Sequence, residues 1–183
     1  MTTRRLLIFA VSALVANPAL AAAPLYAPDA GPALSPRAQG MVKTLKAAIR
    51  AKQAELDALP PSPLEGGRLE RMAELEQTTR ETLYGLDFDS LDLAERRVAL
   101  DACWSLVEAV DRRNRGALGT MLPGDGGWFG RTAFGEEGAR GAWLIVVHAV
   151  NDRKLMREAA RRMEPLVADA EVLPAWYASV VDR

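Results

Sequence analysis

The sequence predicts an all-α chain, a single helical domain of five to six helices preceded by a cleavable signal peptide. Three observations carry that prediction. Apolar residues recur at three- and four-residue steps over most of the chain. Proline and N-capping residues stand where such stretches begin. Only one apolar run, residues 142–150, could be read as a strand, and no second strand exists to pair with it.

The first 23 residues are read as a signal. Arg4 and Arg5 form a basic start, and Leu6 to Ala16 is apolar apart from Ser12. That run is shorter than the ~20 helical residues a bilayer requires. Asn17-Pro18 breaks it, and Ala19-Leu20-Ala21 supplies the small-x-small pattern of a cleavage site, with cleavage expected after Ala21 or Ala23. Arg4-Arg5 keeps a twin-arginine route open beside the general one. The expected location is periplasmic or secreted, with no stable membrane anchor.

The chain has 23 basic and 24 acidic residues. Without Arg4 and Arg5 the balance is 21 to 24, a mildly acidic mature chain. Nucleic acid and anionic membranes demand concentrated positive charge, so neither is expected as a partner. Cys103 is the only cysteine, so no intrachain disulfide can form. Its apolar neighbours (Ala102, Trp104, Leu106, Val107) predict a buried thiol and not a reagent.

Residues 24–35 hold several prolines and read as a flexible leader, and the helical domain is placed at 36–183. Ser35-Pro36 is an N-cap followed by proline at the first helical position. From Ala38 to Leu59 the apolar steps give a first helix, which Pro60-Pro61 stops. Pro63 and Gly66-Gly67 then read as linker. A second helix is predicted from Leu69 to Leu83, capped by Gly85. Asp92 with Glu95 three residues on resembles a capping box for the third.

In that third helix Leu93, Leu100, Trp104, Val107 and Leu118 follow alternating steps of four and three. Arg97, Asp111 and Asn114 fill the missing steps. Asp111 and Asn114 are therefore expected to face the core, on one side of the helix. Nine of the 14 glycines lie between Gly116 and Gly141, which reads as a mobile or tightly turning loop. No lysine follows in a phosphate-loop arrangement. The run from Ala142 to Val150 is taken as a buried helix. Asp152 to about Ala168, with a bend at Pro165, and a piece from Pro174 complete the set.

From about Arg68 onward the sequence resembles a bacterial domain-of-unknown-function family, number 6624. The strongest matches are Val110-Asp111-x-x-Asn114, Gly127-Trp128-Phe129-Gly130-Arg131, Gly135-Glu136-Glu137-Gly138, Ala142-Trp143-Leu144, His148-Ala149 and the closing Asp182-Arg183. The resemblance implies a helical domain and no established activity. Phe129 stands where the family usually has Pro, and Val147 where it usually has Gln. A Tyr-Gly-Thr-Gln-like tail common in the family does not follow Arg183.

His148 is the only histidine, and in a continuous helix Asp152 would lie four residues on. Such a pair suits a general base, with the acid fixing the imidazole tautomer. It equally suits a core histidine satisfied by a hydrogen bond. The sharper expectation sets Asp111 and Asn114 against His148 as a catalytic trio. Trp128, Arg131, Glu136 and Asp152 would then form the ligand-binding rim of a small pocket beneath the glycine-rich flap. The competing expectation is a polar network that pins helix packing. One histidine and scattered carboxylates lack zinc-type spacing, so neither metal nor cofactor is expected. No Gly-x-Ser-x-Gly elbow supports a serine hydrolase. The arginines at 153, 157, 161 and 162 read as a solvated face offset by Glu158 and Glu164. Function is thus expected to be binding of a protein or small ligand, with a hydrolase-like use of His148 as the alternative.

Overall fold

A computed structural model describes residues 34–62, 64–124 and 126–183. The expected signal peptide and nearly all of the leader lie outside these residues. Six α-helices run in the order α1 (Pro36–Ala58), α2 (Glu65–Tyr84), α3 (Leu93–Met121), α4 (Arg131–His148), α5 (Arg153–Val167) and α6 (Pro174–Val181). Among the described residues there is no strand, and no helix is long and apolar enough to cross a membrane. The all-α prediction stands.

Local signals set several helix ends. Ser35 caps α1, its hydroxyl accepting from the Ala38 N–H at 3.2 Å, with Pro36 at the first helical position. Asp92 caps α3 by accepting from the Glu95 N–H at 2.8 Å. The capping box is only half formed, because the Glu95 carboxylate accepts instead from the Ser35 N–H at 3.2 Å. One side chain thereby couples the starts of α1 and α3.

Two expectations about glycine are corrected. Gly66 and Gly67 lie inside the first turn of α2, not in a linker. Of the nine glycines expected to form a loop, Gly116 and Gly119 lie in α3, and Gly135, Gly138 and Gly141 lie in α4. The reason is a close helix contact that single-sequence periodicity does not reveal. A Cβ on Gly138 would lie 2.5 Å from Gly66 Cα, and one on Gly141 would lie 2.6 Å from the Leu69 carbonyl oxygen. Only glycine lets these backbones meet. The contacts run in the same sense along both helices, so α2 and α4 pack in parallel. Gly135 departs from helical geometry with φ 74° and kinks α4 near its start.

The stripe predicted for α3 is also corrected. Leu93 is 82% and Trp104 42% exposed, while Ala99, Cys103, Val107, Val110, Leu118 and Met121 are buried. A strict four-and-three repeat drifts about 20° per heptad on a straight helix. Extended back from Leu118, that drift turns the first residues off the core. Trp104 packs its edge against Tyr84 on the surface, with ring centroids 6.4 Å apart.

Buried apolar side chains gather on two sides of α2. Leu45, Leu83, Cys103 and Val107 pack between α1, α2 and α3. Phe129, Ile145, Met163 and Trp176 belong to a larger cluster built on α4, α5 and α6. Trp143 stacks on Trp176 at 5.4 Å and donates from Nε1 to Ser179 Oγ, which ties α6 to α4. Where α2, α3 and α4 meet, the buried side chains turn polar.

Candidate functional site

Five side chains form this polar centre. Arg80 on α2 donates to both oxygens of Asp111 on α3, Nη1 to Oδ1 at 3.0 Å and Nη2 to Oδ2 at 2.7 Å. One turn earlier on α2, Glu76 is fully buried. Its Oε1 accepts from Asn114 Nδ2 at 3.0 Å, and its Oε2 lies 2.7 Å from His148 Nδ1. Asn114 Nδ2 also donates to the Met72 carbonyl at 2.9 Å. Arg80 approaches Glu76 Oε2 at 3.8 Å and joins the two halves. Buried carboxylates survive only when paired in this manner.

The helix geometry explains the convergence. Asp111 and Asn114 share the inner face of α3, as expected from their spacing. Glu76 and Arg80 share a face of α2, one turn apart. The parallel contact that sets Gly66 against Gly138 also sets Glu76 against His148 at the far end of α4. A carboxylate only accepts, so against an ionised Glu76 the imidazole donates through Nδ1. The His148 side chain is 16% exposed.

The three expected catalytic residues are therefore brought together, with Glu76 and Arg80 as the links. Neither link is among the residues that the sequence pattern singles out. The signal was present in the stripe Leu69, Met72, Glu76, Thr79, Leu83, where Glu76 fills an apolar step just as Asp111 does in α3.

The four rim residues are not part of this centre. Trp128 is buried, 5.1 Å from Phe129 between ring centroids, and Phe129 contacts Phe134 in turn. It plugs the apolar cluster and does not face a ligand. Arg131 pairs with Glu136 at 2.5 Å on the exposed start of α4 and reaches the Ala170 carbonyl. Beside them the Glu171 carboxylate accepts from the Thr132 hydroxyl, which holds it below the usual carboxylate range. Asp152 does not reach for His148. The helix ends at His148, and Asp152 caps α5 by accepting from the Leu155 N–H at 2.9 Å. The i, i+4 relation is lost because the chain turns between the two.

The expected flap is reduced to the connection between α3 and α4. Its Trp128 and Phe129 are buried, and Arg162 on α5 holds its Pro123 and Gly127 carbonyls, each at 3.1 Å. Among the described residues, the clefts at α2–α4, at α1–α2, at α5–α6 and beside Trp104 are lined by none of Glu76, Arg80, Asp111, Asn114 and His148. Thr79 is the buried hydroxyl nearest to Glu76 and Arg80 in sequence, and it donates to the Leu75 carbonyl of its own helix at 2.7 Å. Cys103 lies in the apolar cluster between α1 and α3, and burial pushes its thiol pKa up. Among the described residues no group of three potential ligands could hold a metal ion.

These five side chains spend their polar groups on one another across three helices. Their chemistry is that of a brace between three helices, with one imidazole nitrogen left over at the edge. Comparison with known proteins finds no matching family model, no matching curated protein and no matching solved structure.

Proposed function

We propose that this chain is an exported helical binding module, in which the Glu76–His148 and Arg80–Asp111 pairs brace the fold and a partner or small ligand is taken at the surface. One observation carries the reading: both oxygens of the fully buried Glu76 are engaged inside the protein, by Asn114 and by His148. A carboxylate so engaged, and with no solvent exposure, orients its neighbours and presents no oxygen to a substrate at the surface. Export rests on the basic, apolar and small-residue layout of residues 1–23, and the mature N-terminus of the exported chain tests it. Membership of family 6624 is part of the same reading and rests on the blocks between Val110 and Ala149.

A second reading has one observation in its favour. With Nδ1 on Glu76, the His148 ring is held as general bases are held, with Nε2 toward the partly exposed side. It would make the protein hydrolase-like, with Asp111 and Asn114 as positioning residues.

His148→Gln separates the two. The binding reading expects a lower melting temperature, no change in hydrolysis of activated esters and phosphates, and retention of any mass adduct in the native mass spectrum of the exported protein. Loss of turnover, in a variant whose melting temperature is unchanged, would overturn it.

A further inference from the structure

The arginine-rich α5 does not present a uniform solvated face. Glu158 is taken by Arg161 and Arg162, which it accepts at 2.7 and 2.6 Å. Arg162 also holds the connection between α3 and α4. Arg153 and Arg157 are left without an ion pair among the described residues, one turn apart on the same side of the helix. Both line a cleft of about 350 Å³ between α5 and the end of α6. That size lies at the lower end of the range for small-molecule sites.

The opposite side of this cleft supplies a third guanidinium. Arg183 also lines it, with Nη1 donating to the Val147 carbonyl at 2.9 Å. That bond orients the head group and leaves its other N–H groups unspent. The floor is apolar: Met156, Ala160, Val180 and Val181 line it, with Met156 and Val180 nearly buried and Val181 53% exposed. No acidic residue is in the lining. Three cations above a partly uncovered apolar floor define an occupant with an anionic head and a hydrocarbon body. Guanidinium recognises a carboxylate through paired N–H groups in one plane. The floor rewards a tail by area removed from water.

We propose that the α5–α6 cleft binds a single-chain anionic amphiphile, a medium-chain fatty carboxylate, with its head on Arg153 and Arg157 and its chain on Met156, Val180 and Val181. This rests on the binding-module reading and gives it a ligand class. The overall acidic balance of the chain does not oppose it, because a small anion meets the local field of the cleft within a Debye length of ~8 Å.

Titration calorimetry of the whole chain with dodecanoate below its micelle concentration tests the proposal. Saturable binding at one site is expected, with dodecyl maltoside, of equal chain length and no charge, at least tenfold weaker, and acetate inert. The double variant Arg153→Gln/Arg157→Gln should weaken dodecanoate at least tenfold, the loss expected for two charge-assisted hydrogen bonds. Val181→Asp should weaken it similarly by placing a like charge on the floor. Arg112→Gln, which removes an exposed charge on α3 outside the lining of the cleft, should leave binding unchanged. Equal binding of the uncharged detergent, indifference to the double variant, or binding only to anionic vesicles would overturn the assignment. If dodecanoate fails while the exported protein still carries an adduct in its native mass spectrum, the cleft is wrong and the binding module stands. If both fail, the module reading falls with it.

Discussion

His148 Nδ1 lies 2.7 Å from Glu76 Oε2, so the only histidine of the chain closes on a carboxylate with no solvent exposure, 72 residues earlier in sequence. The pair joins α4 to α2 at the end away from their glycine contact. Removing the imidazole in His148→Ala strands one oxygen of a buried carboxylate. Such an unsatisfied charged acceptor costs about 2–3 kcal/mol. Chemical denaturation should show that loss with an unchanged m-value. A variant as stable as the wild type would mean that water replaces the ring and that the pair is no brace.

Arg80 and Asp111 invite a double-mutant cycle. Both are nearly buried and bound through two parallel hydrogen bonds. Breaking a buried pair from one side leaves an uncompensated charge, at about 3–5 kcal/mol. Arg80→Met and Asp111→Leu should each be destabilising on that scale. The double variant should recover much of the loss, because neither charge is then orphaned. Additive losses would show that the two residues act independently.

The glycine contact between α2 and α4 gives a contrast within one residue type. Gly138→Ala drives a methyl to 2.5 Å from the Gly66 Cα, where backbone and not a flexible side chain must give way. The expected loss is about 1–3 kcal/mol, and His148 should lose register with Glu76. Gly40 lies inside α1 with nothing within 4 Å of an added Cβ. Gly40→Ala should therefore stabilise by about 0.5–1 kcal/mol, the helix-interior difference between the two residues. Thermal melts of the two variants check both signs. A stabilised Gly138→Ala would refute the close approach.

These contrasts also mark what the sequence disclosed. Ser35-Pro36, Asp92 and Pro174 speak through contacts within one turn, so the starts of α1, α3 and α6 were legible. Asp111 and Asn114 were legible because a polar residue at an apolar step has few places to go. Glu76 obeys the same rule, but a glutamate in a charged helix reads as surface. The glycines of α4 misled for a different reason. Their role is a contact with α2 made across the fold, and periodicity within one segment carries no trace of a partner. Asp152 misled because four residues separate it from His148 only in number, once the helix stops between them.

Glu158 offers the sharpest dependence on pH. Hydrogen bonds from Arg161 and then Arg162 lower its pKa from 4.5 to about 2. A carboxylate with a depressed folded pKa adds stability that is complete above its unfolded value and is lost as pH falls toward the folded one. The wild type should thus melt higher than Glu158→Gln at neutral pH. The gap should begin to close below about pH 4.5 and disappear as the pH falls through about 2. Because the group lies at the surface, added salt should narrow the gap at every pH above that window. The same substitution frees Arg162, whose remaining bonds to the Pro123 and Gly127 carbonyls hold the connection into α4. Hydrogen exchange in that connection should therefore rise in the variant at neutral pH and approach the wild type as the pH falls through about 2. A gap in melting temperature that is constant from pH 2 to 7 would show that Glu158 acts by packing and not by charge.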